Sequence, residues 1–270
     1  MSLTYPSIKV KLIDLTAKGD SNPTSSDLQS FSTVADIKDD FAVQKFNTLE
    51  SDQWLFGQNF SIFPDVPTNY KWGYWSLSQS DINSGFATSP ELIVTFSNVH
   101  TSNGITLEFW TITDDYCNNI TVEWYDASNV LIITKDFTPD SNVYFAEELV
   151  ENYKKVIIKF NSTNKPYRYA KLKNVEYGKI ALFEGREITK ADLTEEVDLT
   201  TDKITINTVD FEIALDTVEE MNVITSVLQE TQEVVVQERL NDDFLDIGTF
   251  YVSGKDLQEE KILTINTQDI

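Results

Sequence analysis

Residues 120–137, ITVEWYDASNVLIITKDF, decide the fold. Two β-branched and aromatic runs, 120–126 and 130–137, flank the polar turn DASN. In the first run Thr121, Glu123 and Tyr125 fall on one side of the chain and Val122 and Trp124 on the other. Alternation at period two is the pattern of a half-buried strand. Runs of the same kind extend outward in both directions: ELIVTF (91–96), ITLEFWTI (105–112), KVIIKF (155–160) and YAKLKNVEYGKIALF (169–183). The polar clusters SNVHTSNG, DDYCNN and NSTNKP separate them. Many short strands without a long helix predict an antiparallel sandwich or jelly roll.

The flanking segments read less sharply. EELVENYKK (147–155) predicts a helical turn, and residues 16–40 predict a mostly irregular lead segment with a short helix at 33–39. After residue 200, KITINTVDFEIAL, EVVVQERL, LDIGTFYVSG and EKILTINTQDI are again strand-like, and only 218–231 competes as helix. The expected fold class is all-β, a jelly-roll β-sandwich followed by a smaller β domain.

Charge supports a division of the chain. Its 270 residues carry 21 Lys and Arg against 44 Asp and Glu, a net −23, which opposes binding to nucleic acid and to anionic lipid. From residue 186 onward there are 6 basic and 21 acidic residues, net −15, leaving 15 basic and 23 acidic, net −8, before it. The expected domains are a partly irregular N-terminal extension over 1–45, a jelly roll over 46–185 and a β domain over 186–270. No apolar run reaches the roughly 18 residues of a membrane span, and none has the form of a secretory signal, so a chain made and kept in solution, with no membrane partner, is expected.

One Cys and one His narrow the chemistry. Cys117 alone forms no intramolecular disulfide, and a Cys/His zinc site needs about four ligands. His100 and Cys117 lie in different turns with no G-x-S-x-G or papain-like context, so His100 reads as a structural or surface residue and not a catalytic one, and no glycine-rich phosphate cradle occurs. The Asp and Asn residues at 114–119 lack EF-hand spacing and read as a solvated turn. No catalytic residue, metal or cofactor is expected.

Sugar recognition needs flat aromatic faces together with carboxylates and amides for hydroxyls. TNYKWGYWSLSQSD and DDYCNN offer both. The candidate carbohydrate-binding residues are Trp72, Tyr74 and Tyr116 as platforms and Asp114, Asp115 and Asn118 as hydroxyl partners, with Trp75, Trp110 and Trp124 read as core. Residues 154–179 hold eight basic residues with Glu176 the only acid. They read as a solvated strand face whose surplus charge offsets the acidic last domain through a domain or subunit contact, expected as salt-sensitive self-association or docking onto a neighbouring protein, not as a nucleic-acid surface.

Several stretches carry a resemblance. FNTLESDQWLFGQNFSIFPD (46–65), GYWSLSQSDINSGFATSPELIVTFSNVHTSNGITLEF (73–109) and PYRYAKLKNVEYGKI (166–180) resemble a discoidin-like (coagulation factor 5/8 type C) sandwich, in the version found in tail proteins of phages and prophages of Gram-positive bacteria. ITKADLTEEVDLTTDKITINTVDFEIAL (188–215) with GTFYVSGKDLQEEKILTINTQDI (248–270) is similar to the β domain of phage tail-hub or baseplate proteins. The resemblance implies a non-enzymatic structural component of a virion tail, made in the bacterial cytoplasm and partnered by other tail and baseplate proteins and by further copies of itself. Its jelly roll would touch host cell-surface carbohydrate. The rival expectation is a tail-associated glycosidase acting on wall or capsule polysaccharide.

Overall fold

The computed structural model describes residues 4–39, 41–43, 48, 50, 71–194, 207–215, 224, 228, 230–240, 243–258 and 261–269. The fold is all-β: fifteen strands stand beside a six-residue α-helix and a 3-10 turn, and among the described residues Ile224 is also helical. It forms two compact units, Asp14–Tyr177 and a second made from Met1–Ile13 with Gly178–Ile270.

The chain therefore enters the second unit with β1 (Thr4–Ile13), leaves for the whole of the first, and returns. This differs from the expected 1–45, 46–185 and 186–270. β1 pairs along one edge with β10 (Gly178–Glu184), from Ser7↔Glu184 to Ile13↔Gly178, and along the other with β13 (Glu233–Leu240). Partners lying 165 or more positions away in sequence cannot be seen in local composition. Gly178 sits at φ +140°, and a Cβ there would lie 2.3 Å from the Leu12 carbonyl oxygen, so the return strand needs glycine.

In the first unit, α1 (Leu15–Asp20) is capped by the Asp14 carboxylate, which accepts from the Thr16 and Ala17 amides. β2 (Ser21–Thr24) and a 3-10 turn (Val34–Lys38) follow, the turn falling inside the predicted 33–39. The framework is a sheet ordered β2-β4-β7-β5-β6, built from β4 (Glu91–Glu108), β5 (Asn119–Tyr125), β6 (Leu131–Phe137) and β7 (Val143–Ser162). β3 (Tyr74–Gln79) pairs with β8 (Tyr169–Leu172), and β9 (Asn174–Glu176) pairs with the distal half of β4.

The predicted alternation is realised. Val122 and Trp124 of β5 are buried with Leu92, Val94 and Phe96 of β4 and Val156, Ile158 and Phe160 of β7, while Thr121, Glu123 and Tyr125 are only half-buried. Tyr74 of β3 stacks on Phe160, ring centroids 5.4 Å apart, joining the small β3/β8 sheet to the same core. The predicted helical turn at 147–155 is instead part of β7, a 20-residue strand from Val143 to Ser162 that pairs along the 18-residue β4. Asn152 at φ +56° absorbs one of the register shifts between them.

The second unit is one seven-stranded sheet ordered β10-β1-β13-β14-β15-β12-β11, adding β11 (Ile188–Thr194), β12 (Thr208–Ala214), β14 (Asp243–Gln258) and β15 (Ile262–Gln268). Its two end strands, β10 and β11, are consecutive in the chain and joined by a tight turn in which the Glu187 amide donates to the Glu184 carbonyl. Residues 184–188 are thus a turn within the sheet and not a linker between domains. One face of every strand contributes to a single core, including Ile8, Val10, Phe183, Phe211, Val234, Phe250 and Ile265. The expectation at 218–231 falls mostly outside the described residues, as does most of the quoted 46–65 stretch.

Gly104 of β4 tests the close approach of β4 to β7. At φ +138°, a Cβ on it would lie 2.3 Å from the Ala146 carbonyl oxygen and 2.9 Å from the Phe145 ring. Gly104→Ala is expected to cost at least about 1 to 3 kcal/mol. Gly85→Ala, whose nearest neighbour is the Asp81 carboxylate at 3.8 Å, should be close to neutral. Denaturant melts of the two variants check this, and equal stabilities would contradict the packing described.

Candidate functional site

The loops at one end of the sandwich unit are laced to one another. Trp110 and Asp115 exchange backbone hydrogen bonds at 3.1 Å, closing residues 110–115 into a tight loop with Asp114 at φ +51°. The 163–168 loop is tied to it. The Asn164 amide donates to the Tyr116 carbonyl, the Asn164 side chain accepts from the Tyr116 amide at 3.2 Å and donates to the Asp114 carbonyl at 2.8 Å, and Lys165 Nζ donates to the Thr113 and Asp114 carbonyls. Asn142 Nδ2 donates to Asp114 Oδ1 at 3.0 Å, and the Tyr167 amide reaches the Asp81 carbonyl. Asp81 in turn closes its own loop by accepting from the Asn83 and Gly85 amides.

Beneath these loops lies a buried charge network. Asp115 Oδ2 is 2.6 Å from Lys171 Nζ, and Oδ1 is 3.1 Å from Arg168 Nε. Thr113 Oγ1 donates to Asp115 Oδ2 at 2.6 Å, and Lys171 also meets Glu50 Oε1 at 2.7 Å. Glu50 accepts from the Tyr169 amide, fixing β8 against residue 50. Lys171 Nζ lies 4.7 Å from the Trp75 ring, which meets Trp110 edge-on at 4.9 Å. Burial works against the charged form of Asp115, but the Lys171 ammonium, with the Thr113 and Arg168 contributions, outweighs it and holds the carboxyl below the usual carboxylate range.

The predicted sugar-binding residues separate into two groups. Trp72, 3% exposed, packs with Trp75 and Trp110 against Phe31, and Tyr74 is fully buried with its phenol pushed up by desolvation. Neither presents a free ring face, which corrects both as platforms. Tyr74, Trp75 and Ser76 are buried in succession at the start of β3, Tyr74 in the main core and Trp75 in the cluster with Trp72 and Trp110, so both faces of the strand are covered there. Asp115 is likewise turned inward as the anchor of the charge network. Asp114, Tyr116 and Asn118 do lie together on the laced loops, with Asp114 and Asn118 exposed and Tyr116 half-buried. Asn118 accepts from Ser162.

The sugar-binding candidates do not include Tyr167, which is 41% exposed and held at φ +57° on the adjoining loop. A bulky non-glycine residue in the left-handed region is a strained placement that the surrounding hydrogen bonds must enforce. Its signal was an aromatic between Pro166 and Arg168 inside a polar turn.

The basic stretch 154–179 is largely consumed within the unit. Lys155 lies over the Tyr125 ring and donates to Asn129, Lys159 pairs with Glu123 at 2.7 Å, Lys173 pairs with Glu108 at 2.7 Å, and Arg168 and Lys171 are buried on Asp115. Of the cationic face on which a salt-sensitive association was expected, Lys159, Arg168, Lys171 and Lys173 are thus engaged with acids of the same unit. Cys117 is buried, and desolvation pushes its thiol up. Among the described residues no group of three or more His, Cys, Asp or Glu is placed to hold a metal ion.

No family model matches the chain, and no curated protein does. Solved structures similar to it include chitosan-binding module 1 of a chitosanase/glucanase from Paenibacillus sp. IK-5, at 13% identity and TM-score 0.37, over 58% of this chain and 93% of that one. A family 32 carbohydrate-binding module from C. perfringens NanJ, solved with galactose, is similar at 8% identity and TM-score 0.37, over 62% and 97%. Discoidin II from Dictyostelium discoideum is similar at 10% identity and TM-score 0.35, over 99% and 90%.

Asp115→Asn should be strongly destabilising, by about 3 to 5 kcal/mol, because it leaves Lys171 and Arg168 buried without their shared counter-charge. The lowered Asp115 carboxyl stabilises the fold above its unfolded-state value, about 3.9, and that stabilisation is lost as pH falls through its lower folded-state value. Acid-side melts of the wild type and Asp115→Asn should therefore converge. A gap that stays constant down to the acid transition would contradict the network's role.

Proposed function

We propose that the Asp14–Tyr177 unit is a non-enzymatic carbohydrate-binding module, within a structural component of a phage or prophage tail that is made in the bacterial cytoplasm and recognises host cell-surface glycan. The observation that carries the binding reading is Tyr167, an exposed aromatic held in a strained backbone conformation on loops that are otherwise fully tied down. Beside it on the same laced loops stand Tyr116, Asp114 and Asn118. Tyrosine faces match the apolar side of a pyranose, and the carboxylate and amide match its hydroxyls. A pre-organised loop cluster loses little conformational entropy when a ligand docks.

Lys165 is turned into the Thr113 and Asp114 carbonyls and the Asp115 carboxylate, so Asp114 is the charge most open to ligand. With the chain's net −23 this favours neutral or amino sugars over acidic ones. The tail assignment is supported by the sequence resemblance and by the pairing of a sandwich with a second, acidic β unit. The rival glycosidase needs two carboxylates facing each other across a sugar. Asp115, the most deeply placed acid of the loop end, is instead spent on Lys171 and Arg168.

Tyr167→Ala should weaken binding to purified wall polysaccharide at least about tenfold while leaving the melt nearly unchanged, and Tyr116→Ala, whose ring also packs against the core, should weaken binding likewise with a modest loss of stability. Trp124→Ala, a buried control, should lose about 3 to 5 kcal/mol of stability. Release of reducing ends by the wild type would support the glycosidase, and unchanged polysaccharide binding in both tyrosine variants would sink the platform.

A further inference from the structure

His100, the chain's one histidine, is buried on β4 and lies between two carboxylates. Its Nδ1 is 2.9 Å from Asp14 Oδ2 and its Nε2 is 2.9 Å from Asp20 Oδ2. These two acids bracket α1. Asp14 caps its first turn through Oδ1, and Asp20, its last residue, also accepts from the Asn98 amide at 2.8 Å through Oδ2. One imidazole therefore ties both ends of a six-residue helix to the middle of β4.

The charge state follows from the hydrogen-bond inventory. Ionised carboxylates only accept, so a ring flanked by two of them satisfies both contacts only when both nitrogens carry protons. Both acids are held below the usual carboxylate range. For Asp14, burial opposes this and the Thr16 and His100 hydrogen bonds outweigh it, and for Asp20 the His100 hydrogen bond is the leading cause. The other groups around the ring add no competing charge. Phe96 of β4 packs on it at 5.0 Å, the Tyr153 phenol of β7 is pushed up by burial and donates to Ser102, and Lys18 of α1 is paired with Glu176 of β9.

We propose that His100 is a proton-held latch, closed by the imidazolium and opened by its deprotonation. Loss of either ring proton sets a nitrogen lone pair against a carboxylate oxygen 2.9 Å away, so one end of α1 is released from β4 as pH rises through the ring's titration. On the acid side the latch persists until Asp14 and Asp20 protonate at their lowered values. The latch stands where the sandwich unit closes on itself, because the Asp14 amide donates to the Tyr177 carbonyl at 2.8 Å. Alkaline release therefore loosens the meeting point of that unit's two chain ends.

A single histidine makes the test direct. Nitrogen-15 NMR of the full-length wild type should show both ring nitrogens protonated at neutral pH. Amide-exchange protection factors over residues 15–20, corrected for intrinsic base catalysis, should fall about tenfold or more as the ring deprotonates, the loss of one charge-assisted hydrogen bond. Asp20→Asn, which keeps the ring and the N-cap, should show low protection with little dependence on pH in the same range. A neutral single-tautomer ring at neutral pH, or protection over 15–20 that is unchanged across the ring's titration, would overturn the latch. The wild-type spectra decide the matter even if the variant does not fold.

Discussion

Asp115 gives up hydration to meet Lys171 and Arg168 in the interior, and the order of the loop end follows from that exchange. Desolvating several charged groups is costly, and such a cluster is tolerated only when every member is closely paired. The pairing has a geometric consequence. With its side chain fixed from below and its backbone bridged to Trp110, Asp115 cannot shift, so Asp114 and Tyr116 on either side of it are set in place as well. Glu50, bound to Lys171 and to the β8 backbone, extends the same constraint to a distant part of the chain. Order at the surface is thus supported by electrostatics beneath it.

The sandwich strands were legible because a half-buried strand writes its two faces into every second residue. Val122 and Trp124 against Thr121 and Glu123 is such a case, and the burial follows it residue by residue. Trp72 and Tyr74 misled because an aromatic cluster has the same composition whether it packs inward or faces solvent, and only the neighbours Phe31, Trp110 and Phe160 decide. Lys159, Arg168, Lys171 and Lys173 could not be placed from sequence for a related reason. Their counter-charges, Glu123, Glu108, Asp115 and Glu50, lie on other strands or loops and are far away in sequence. Of the loop end, Asp114, Tyr116 and Asn118 could be picked out as polar turn residues, whereas Tyr167 is distinguished by backbone conformation, which composition does not record.

The same limit explains the domain division. A charge shift near residue 185 is real, but it falls inside a sheet, where Glu184 and Glu187 form the turn between β10 and β11. The strand that completes the sheet comes from the opposite end of the chain. Apolar alternation in Ile8, Val10 and Leu12 identifies β1 as a strand but carries no information about which sheet will take it.

That routing has a cost in time. β1 leaves the ribosome well before its partners, which begin at Gly178 and Glu233, so at about 5 to 20 residues per second it waits on the order of ten seconds or more with its pairing groups empty. Meanwhile the intervening unit has everything it needs to fold. A waiting apolar strand invites association with the wrong edge, and β1 carries features that discourage it: Pro6, which cannot donate to a ladder, and Lys9 and Lys11 alternating with the apolar positions. Lys11 later pairs with Glu233 of β13 at 2.8 Å, so a charge that guards the strand during synthesis becomes part of the sheet once its partner arrives.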